Sequence, residues 1–323
     1  MSLAVCLLAY TLVVMVVGPP LLARATRAGV APRLGMAAWI TTMACVLGFW
    51  VAAVGLLGDE LVRAWGHLDG TLSGCVAGLA ALAGGGRGGV VQVGMAGAVT
   101  LTALGMALVG TRVVLALHRA RADTRRHADA AVLAARGTPR GPGGALVVDA
   151  QHRSVYCLPG RTRTIVITKA ALDVLDEPQL AAVMAQERAH LTGRHHQLLA
   201  FTAALARILP GSRLFTEGAT EVARLAELSA DDAAARRHGR DTVVDALLAL
   251  CAPNPSARSP LHVQGLGATG VGVADRVERL LFPADPAPAR LAEAAAAGAL
   301  LLGPLTMAVL VLTQSPMCAP VMF

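Results

Sequence analysis

The chain has 323 residues, of which 55% are hydrophobic and only 15% charged, with a mean hydropathy of +0.58. Soluble domains carry about 25% charged residues, so the composition excludes a wholly soluble protein and leaves room for one soluble unit of roughly 150 residues. The net charge of +7 gathers beside apolar segments, and aromatic residues make up only 3% of the chain. Both facts argue against a nucleic-acid surface, which needs base-stacking rings as well as charge.

Four segments are long and apolar enough to cross a bilayer, which takes about 20 residues each: 3–22, 36–57, 90–117 and 292–312. Pro304 falls inside the last and is expected to kink it. The first segment follows Met1-Ser2 without a basic flank, so it reads as an anchor and not as a cleaved signal peptide. The short apolar stretch 71–82 runs into glycines and reads as a loop helix on the membrane surface. Arginines set the expected orientation. Arg24, Arg27 and Arg33 lie between segments one and two, and Arg112, Arg119, Arg121, Arg125 and Arg126 close segment three. The connection between segments two and three is poorer in arginine. The expected protein is a multi-pass protein of the cell membrane with both termini outside. Its three parts are a three-span region over 1–117, a cytoplasmic domain over 118–290, and a fourth span with a short tail over 291–323.

The expected cytoplasmic part opens with a charged helix to about Arg136 and a Gly/Pro linker at 137–144. Strands are predicted at 145–149, 154–158 and 164–168, the last carrying the β-branched run Thr164-Ile165-Val166-Ile167-Thr168. Helices are predicted at 170–175, 177–193, 195–209, 216–238, 242–250 and 273–282. The third strand has two expected roles, a sheet edge on which an extended peptide could pair or ordinary sheet structure. The six cysteines, at 6, 45, 75, 157, 251 and 318, include no C-x-x-C pair, so no thiolate zinc site or redox motif is expected.

Chemistry concentrates in Ala185-Gln186-Glu187-Arg188-Ala189-His190. Residues four apart share one helix face, and metalloproteases use two histidines at that spacing as zinc ligands with the intervening glutamate as general base. Glu187 and His190 stand at the right offsets, whereas Gln186 occupies the first-ligand position. Glutamine offers only a neutral amide oxygen, a weak donor for zinc. Downstream, Glu227-Leu228-Ser229-Ala230-Asp231 supplies a third ligand, Glu227. Asp231 follows one turn later, placed to hydrogen-bond a ligand histidine, most naturally His190. His195 and His196 lie five and six residues past His190, off its face on a continuous helix, and are expected at the surface or behind the ligands. Arg276 and Arg279 are expected to form a structural ion-pair face near the membrane.

The runs Tyr156 to Gly160, Ile165 to Thr168, Glu177 to Ala185 and Arg188 to Leu191, together with Gly193 to His196, Ala230 to Asp232 and Arg276 to Leu281, resemble one family. It is the integral-membrane antirepressor metallopeptidases of bacterial β-lactam sensor-transducers and their short relatives, which are gluzincins. The resemblance implies an α-helical multi-pass membrane protein of about four spans, with an α+β gluzincin-like zinc peptidase domain between spans three and four. It implies a Zn2+ cofactor and limited proteolysis of a cytoplasmic protein, the family's substrates including winged-helix repressors. The chain departs from the full-length sensors in carrying no penicillin-binding domain after the last span, and from the zinc motif at Gln186. Three readings follow: a signalling metallopeptidase, a pseudoprotease that binds its partner without cutting it, and a general quality-control peptidase of the membrane.

Overall fold

The computed structural model describes residues 3–66, 87–158, 164–252 and 272–283. The predicted fourth span and the 71–82 segment lie outside these residues. Three long helices come first: α1 (Leu3–Thr26), α2 (Pro32–Gly66) and α3 (Arg87–Ala134). Each contains a stretch long and apolar enough to span a membrane, at Leu3–Thr26, Pro32–Glu60 and Ala96–Ala134. The apolar segment and the charged helix that follows it are one continuous element, α3, of 48 residues. No proline or glycine pair interrupts it between Gly110 and Ala134, so nothing breaks the hydrogen-bond ladder.

A three-stranded sheet follows, with β1 (Leu146–Val148), β2 (Val155–Leu158) and β3 (Thr164–Thr168) in the order β1-β3-β2. β3 pairs with β1 in parallel and with β2 antiparallel. The β-branched strand is therefore central, which selects ordinary sheet structure over the edge role. Its residues Ile165 to Thr168 are all buried, and a strand covered on both sides favours such side chains. Among the described residues the outer sides of β1 and β2 are the sheet's edges. One face of the sheet, with Val155, Ile165 and Ile167, packs on Val183 and Met184. The other, with Leu146, Leu158 and Val166, packs on Ala131 of α3 and on Ala135 just past its end.

After the short α4 (Lys169–Leu172) come α5 (Glu177–Thr192), α6 (His195–Ile208), α7 (Arg213–His238), α8 (Arg240–Cys251) and α9 (Val273–Leu281). Their ends fall within three residues of the sequence expectation. The start of α5 is fixed by a capping box, in which the Asp176 carboxylate accepts from the Gln179 N–H at 2.8 Å and the Asp176 N–H donates to the Gln179 side chain at 3.2 Å. A separate core joins α1 and α2 to α6 and α7, through Leu22, Trp39, Met43, Leu205, Phe215, Val222 and Leu225.

Candidate metal centre

α5 presents Gln186, Glu187 and His190 inward, all under a tenth exposed (7, 4 and 6%). α7 brings Glu227 across to them: its Oε1 stands 3.7 Å from His190 Nε2. That nitrogen is buried and has no hydrogen-bond partner among the described residues. Leaving a buried imidazole nitrogen unpaired is costly, and a neutral nitrogen facing a carboxylate at this distance suits a cation between them. Burial, helped by His195 and Arg276, holds His190 down to about 3, so its nitrogen is free of the second proton across the physiological range. Burial also raises Glu227 to about 7, against the pull of Arg276, with Asp231 adding to the rise.

Glu187 packs against β2. The Cys157 thiol and backbone N–H both hydrogen-bond its carboxylate. Burial, reinforced by the Glu227 charge, pushes Glu187 up to about 8, with the Cys157 bonds and Arg276 opposing the rise. Burial first, then the neighbouring Glu187, pushes the Cys157 thiol up in turn.

Asp231 does not meet His190. It is fully buried (0%) and takes both arms of Arg276 from α9, Nε at 2.8 Å from Oδ2 and Nη2 at 2.7 Å from Oδ1. Arg276 Nη1 also lies 3.1 Å from Glu227 Oε2, an ion pair without hydrogen-bond alignment, since that oxygen has no hydrogen-bond partner. Asp231 therefore orients Glu227 through Arg276. A guanidinium has a rigid fork that satisfies a carboxylate bidentately, which a histidine cannot do. Burial works against the Arg276 charge, but Asp231 and Glu227 outweigh it and raise its pKa. Arg279, one turn on, pairs with Asp232 at 2.8 Å and donates to the Gly29 carbonyl at 2.7 Å. The depth of Arg276 was legible in part, because Val273, Arg276, Val277 and Leu280 follow helical spacing on one face.

Of the two places expected for His195, the structure shows the one behind His190. α5 stops at Thr192, and Arg194 adopts the left-handed conformation at φ 51°. This break swings His195 back into the site, where it is 4% exposed. Its Nδ1 lies 3.0 Å from His190 Nδ1, with the two rings nearly perpendicular at 88°. The ring lies over Gly193, where a Cβ would stand 2.6 Å from His195 Cδ2. Periodicity cannot reveal this contact, because an i,i+5 pair meets only when the helix between them is broken. For His190 to offer Nε2 to a metal, its proton must sit on Nδ1 and be donated to His195 Nδ1. Burial, then the charges of Arg33 and His196, lowers His195 to about 4, which keeps it neutral and able to accept.

The geometry thus provides a buried acid, a histidine nitrogen facing a carboxylate across two helices, and supports behind each. A model of peptidase family M48 matches residues 120–284. This span is just over half of the chain. The chain belongs to peptidase family M48. No curated protein and no solved structure matches it. Membership implies metalloprotease activity, and peptidases of this family are generally zinc enzymes. His190 Nε2 and Glu227 fit a zinc ion by type, burial and separation. The third position holds Gln186, and among the described residues no group of three His, Cys, Asp or Glu side chains converges on one point. The residues present thus offer a zinc ion two strong donors, with buried Gln186 one turn before His190 on the same helix.

Proposed function

We propose that this M48 peptidase cleaves a protein at the membrane surface, using Glu187 as its proton carrier. The observation that carries the reading is the buried, unpartnered Nε2 of His190 facing Glu227. His190 and Glu227 would hold zinc, with the Gln186 amide oxygen in the third position. Bound zinc would polarise the scissile carbonyl and ease ionisation of the attacking water. Glu187 takes the proton of that water on its carboxylate and passes it to the leaving amine. Asp231 and Arg276 keep Glu227 facing His190, and His195 keeps the His190 proton on Nδ1. The outer edge of β2, beside Glu187, is where an extended substrate would pair, one of the two roles that the sequence left open for β3.

The arginines beside the apolar segments support a cytoplasmic placement of the site. The resemblance of the site segments to antirepressor peptidases supports limited proteolysis of a cytoplasmic substrate, a winged-helix repressor, in signalling. A second reading, a pseudoprotease that binds this partner without cutting it, is favoured by Gln186. Zinc content of the purified full chain, beside a Gln186→His variant, separates the two. Near-stoichiometric metal in both supports the peptidase. Metal in the variant alone supports the pseudoprotease, and metal in neither overturns both zinc-based assignments.

A further inference from the structure

α3 does not stop where its apolar stretch stops. Beyond Leu117 it runs on to Ala134 as a charged helix, and there it passes beside α6. Between the two lies a cleft of about 570 Å³, a size typical of small-molecule sites. Its walls change character along their length. On α3, Leu117 and Ala120 give way to Arg121 and Arg125; on α6, Phe201 lies two turns from Arg194 and His196 at the helix start. Val113, one turn before Leu117, packs on the same core as Phe201. The apolar ends of the two walls therefore coincide, toward the membrane-spanning stretch of α3, and the basic ends coincide beyond them.

The basic end carries charge that the chain leaves uncompensated. Arg121 and Arg125 stand four apart on one helix face, where like charges repel. Among the described residues no acid lines the cleft, and no ion pair engages Arg121, Arg125 or Arg194. Asp123 projects from the other side of α3, where Arg126 lies 3.7 Å away. Arg194 is also the one non-glycine residue among those described with a positive φ, at 51°, a conformation better suited to glycine or asparagine. Three guanidinium groups round a concave site, beside an apolar floor, complement a ligand with an anionic head and an apolar tail.

We propose that this cleft holds one anionic phospholipid, with its phosphate among Arg121, Arg125 and Arg194 and its acyl chains along the apolar part of α3. Exposed Leu104, Leu108 and Val114 offer those chains a surface inside the apolar stretch. The guanidinium fork matches phosphate oxygens, and Leu117 and Phe201 cover the glycerol and the first methylenes. The phosphate then sits at the α5–α6 break, against the two neighbours of His195, whose ring reaches His190. The lipid site does not depend on the peptidase reading.

Native mass spectrometry of the full-length chain, released from a neutral detergent, tests the site by titration with phosphatidylglycerol and with phosphatidylcholine. A single phosphatidylglycerol is expected to bind ahead of further weak additions, and phosphatidylcholine is not. Arg121→Gln with Arg125→Gln should weaken that first binding about 10- to 30-fold. Arg119→Gln with Arg126→Gln removes the same charge from exposed positions of the same helix, outside the cleft, and should leave it unchanged. Arg194→Gly relieves the left-handed strain, so the fold is kept, and should weaken binding about fivefold. Equal weakening by the two double variants overturns the proposal, as does an unchanged first binding in Arg194→Gly or a lack of preference over phosphatidylcholine. Glycerol phosphate carries the same charged group without a tail. If an excess of it displaces the lipid, the cleft is a site for free phosphate and the lipid assignment falls.

Discussion

The sheet half and the hairpin half of the domain build their cores from different material. In the first, β2, β3, α5 and α8 bury one another through Val155, Ile167, Val183 and Ala246, as any small soluble α+β unit does. In the second, α6 and α7 bury Leu205, Phe215 and Val222 against Trp39, Met43 and Val46 of the long apolar helix α2. The site lies on the seam. Glu187 and His190 come from the sheet half, Glu227 and Asp231 from the hairpin half, and His195 from the residue where one passes into the other. A site divided in this way depends on how the two halves are held in register, and each half can be perturbed separately.

The largest effect is expected at the tie across the seam. Arg276→Met leaves Asp231 buried without its partner, and breaking a buried pair by removing one member costs about 3–5 kcal/mol. The thermal midpoint of the metal-free protein should fall steeply, while Arg279→Met, on a more exposed pair, should lower it far less.

Next comes Glu187, in the sheet half. Its folded pKa, about 8, stands above its unfolded value. The native state therefore binds the extra proton, and stability drains away as pH rises from about 4.5 to about 8. Glu187→Gln removes that dependence. The variant should match the parent near pH 4.5 and exceed it by about 4 kcal/mol at pH 8, read from melting curves across that range. Parallel curves at all pH values would show that Glu187 titrates normally.

His195 tests the junction. His195→Phe keeps a ring over Gly193 but offers no nitrogen to His190, and zinc affinity should fall about 10- to 100-fold in a chelator competition. His195→Asn, which retains an acceptor, should recover part of it. Equal affinity in both variants would leave His195 a packing residue only.

The smallest effect is expected in the hairpin half. Gly218→Ala places a methyl group against Trp39 and Met43. Overpacking costs about 1–3 kcal/mol, and the flexible Met43 end should keep this case near the lower bound. The same substitution at Gly211, which has open space around it, serves as the control.

Local signals in the sequence determined the elements. Asp176 and Gln179 closed a capping box, Gly193 and Gly239 ended helices, and β-branched residues marked 164–168. Those features act within a few residues, so they survive without knowledge of the rest of the chain. The offsets of Glu187, His190 and Glu227 were equally legible, because helical spacing alone puts the first two on one face. Strand order was not legible: the run 164–168 could be read as an edge or as an ordinary sheet strand, and it becomes central only because β1 crosses to its far side. Nor were the partners of the charged groups. Asp231 chose the guanidinium of Arg276 from 45 residues away, a bidentate match that no local pattern encodes. His195 reached His190 only because the chain turns left-handed at Arg194, and the apolar run after it found its cover on α2, not within its own domain. What lies nearby in sequence fixes which helices form; which buried charge finds which partner depends on the desolvation each would suffer alone, and that is set only when the helices pack.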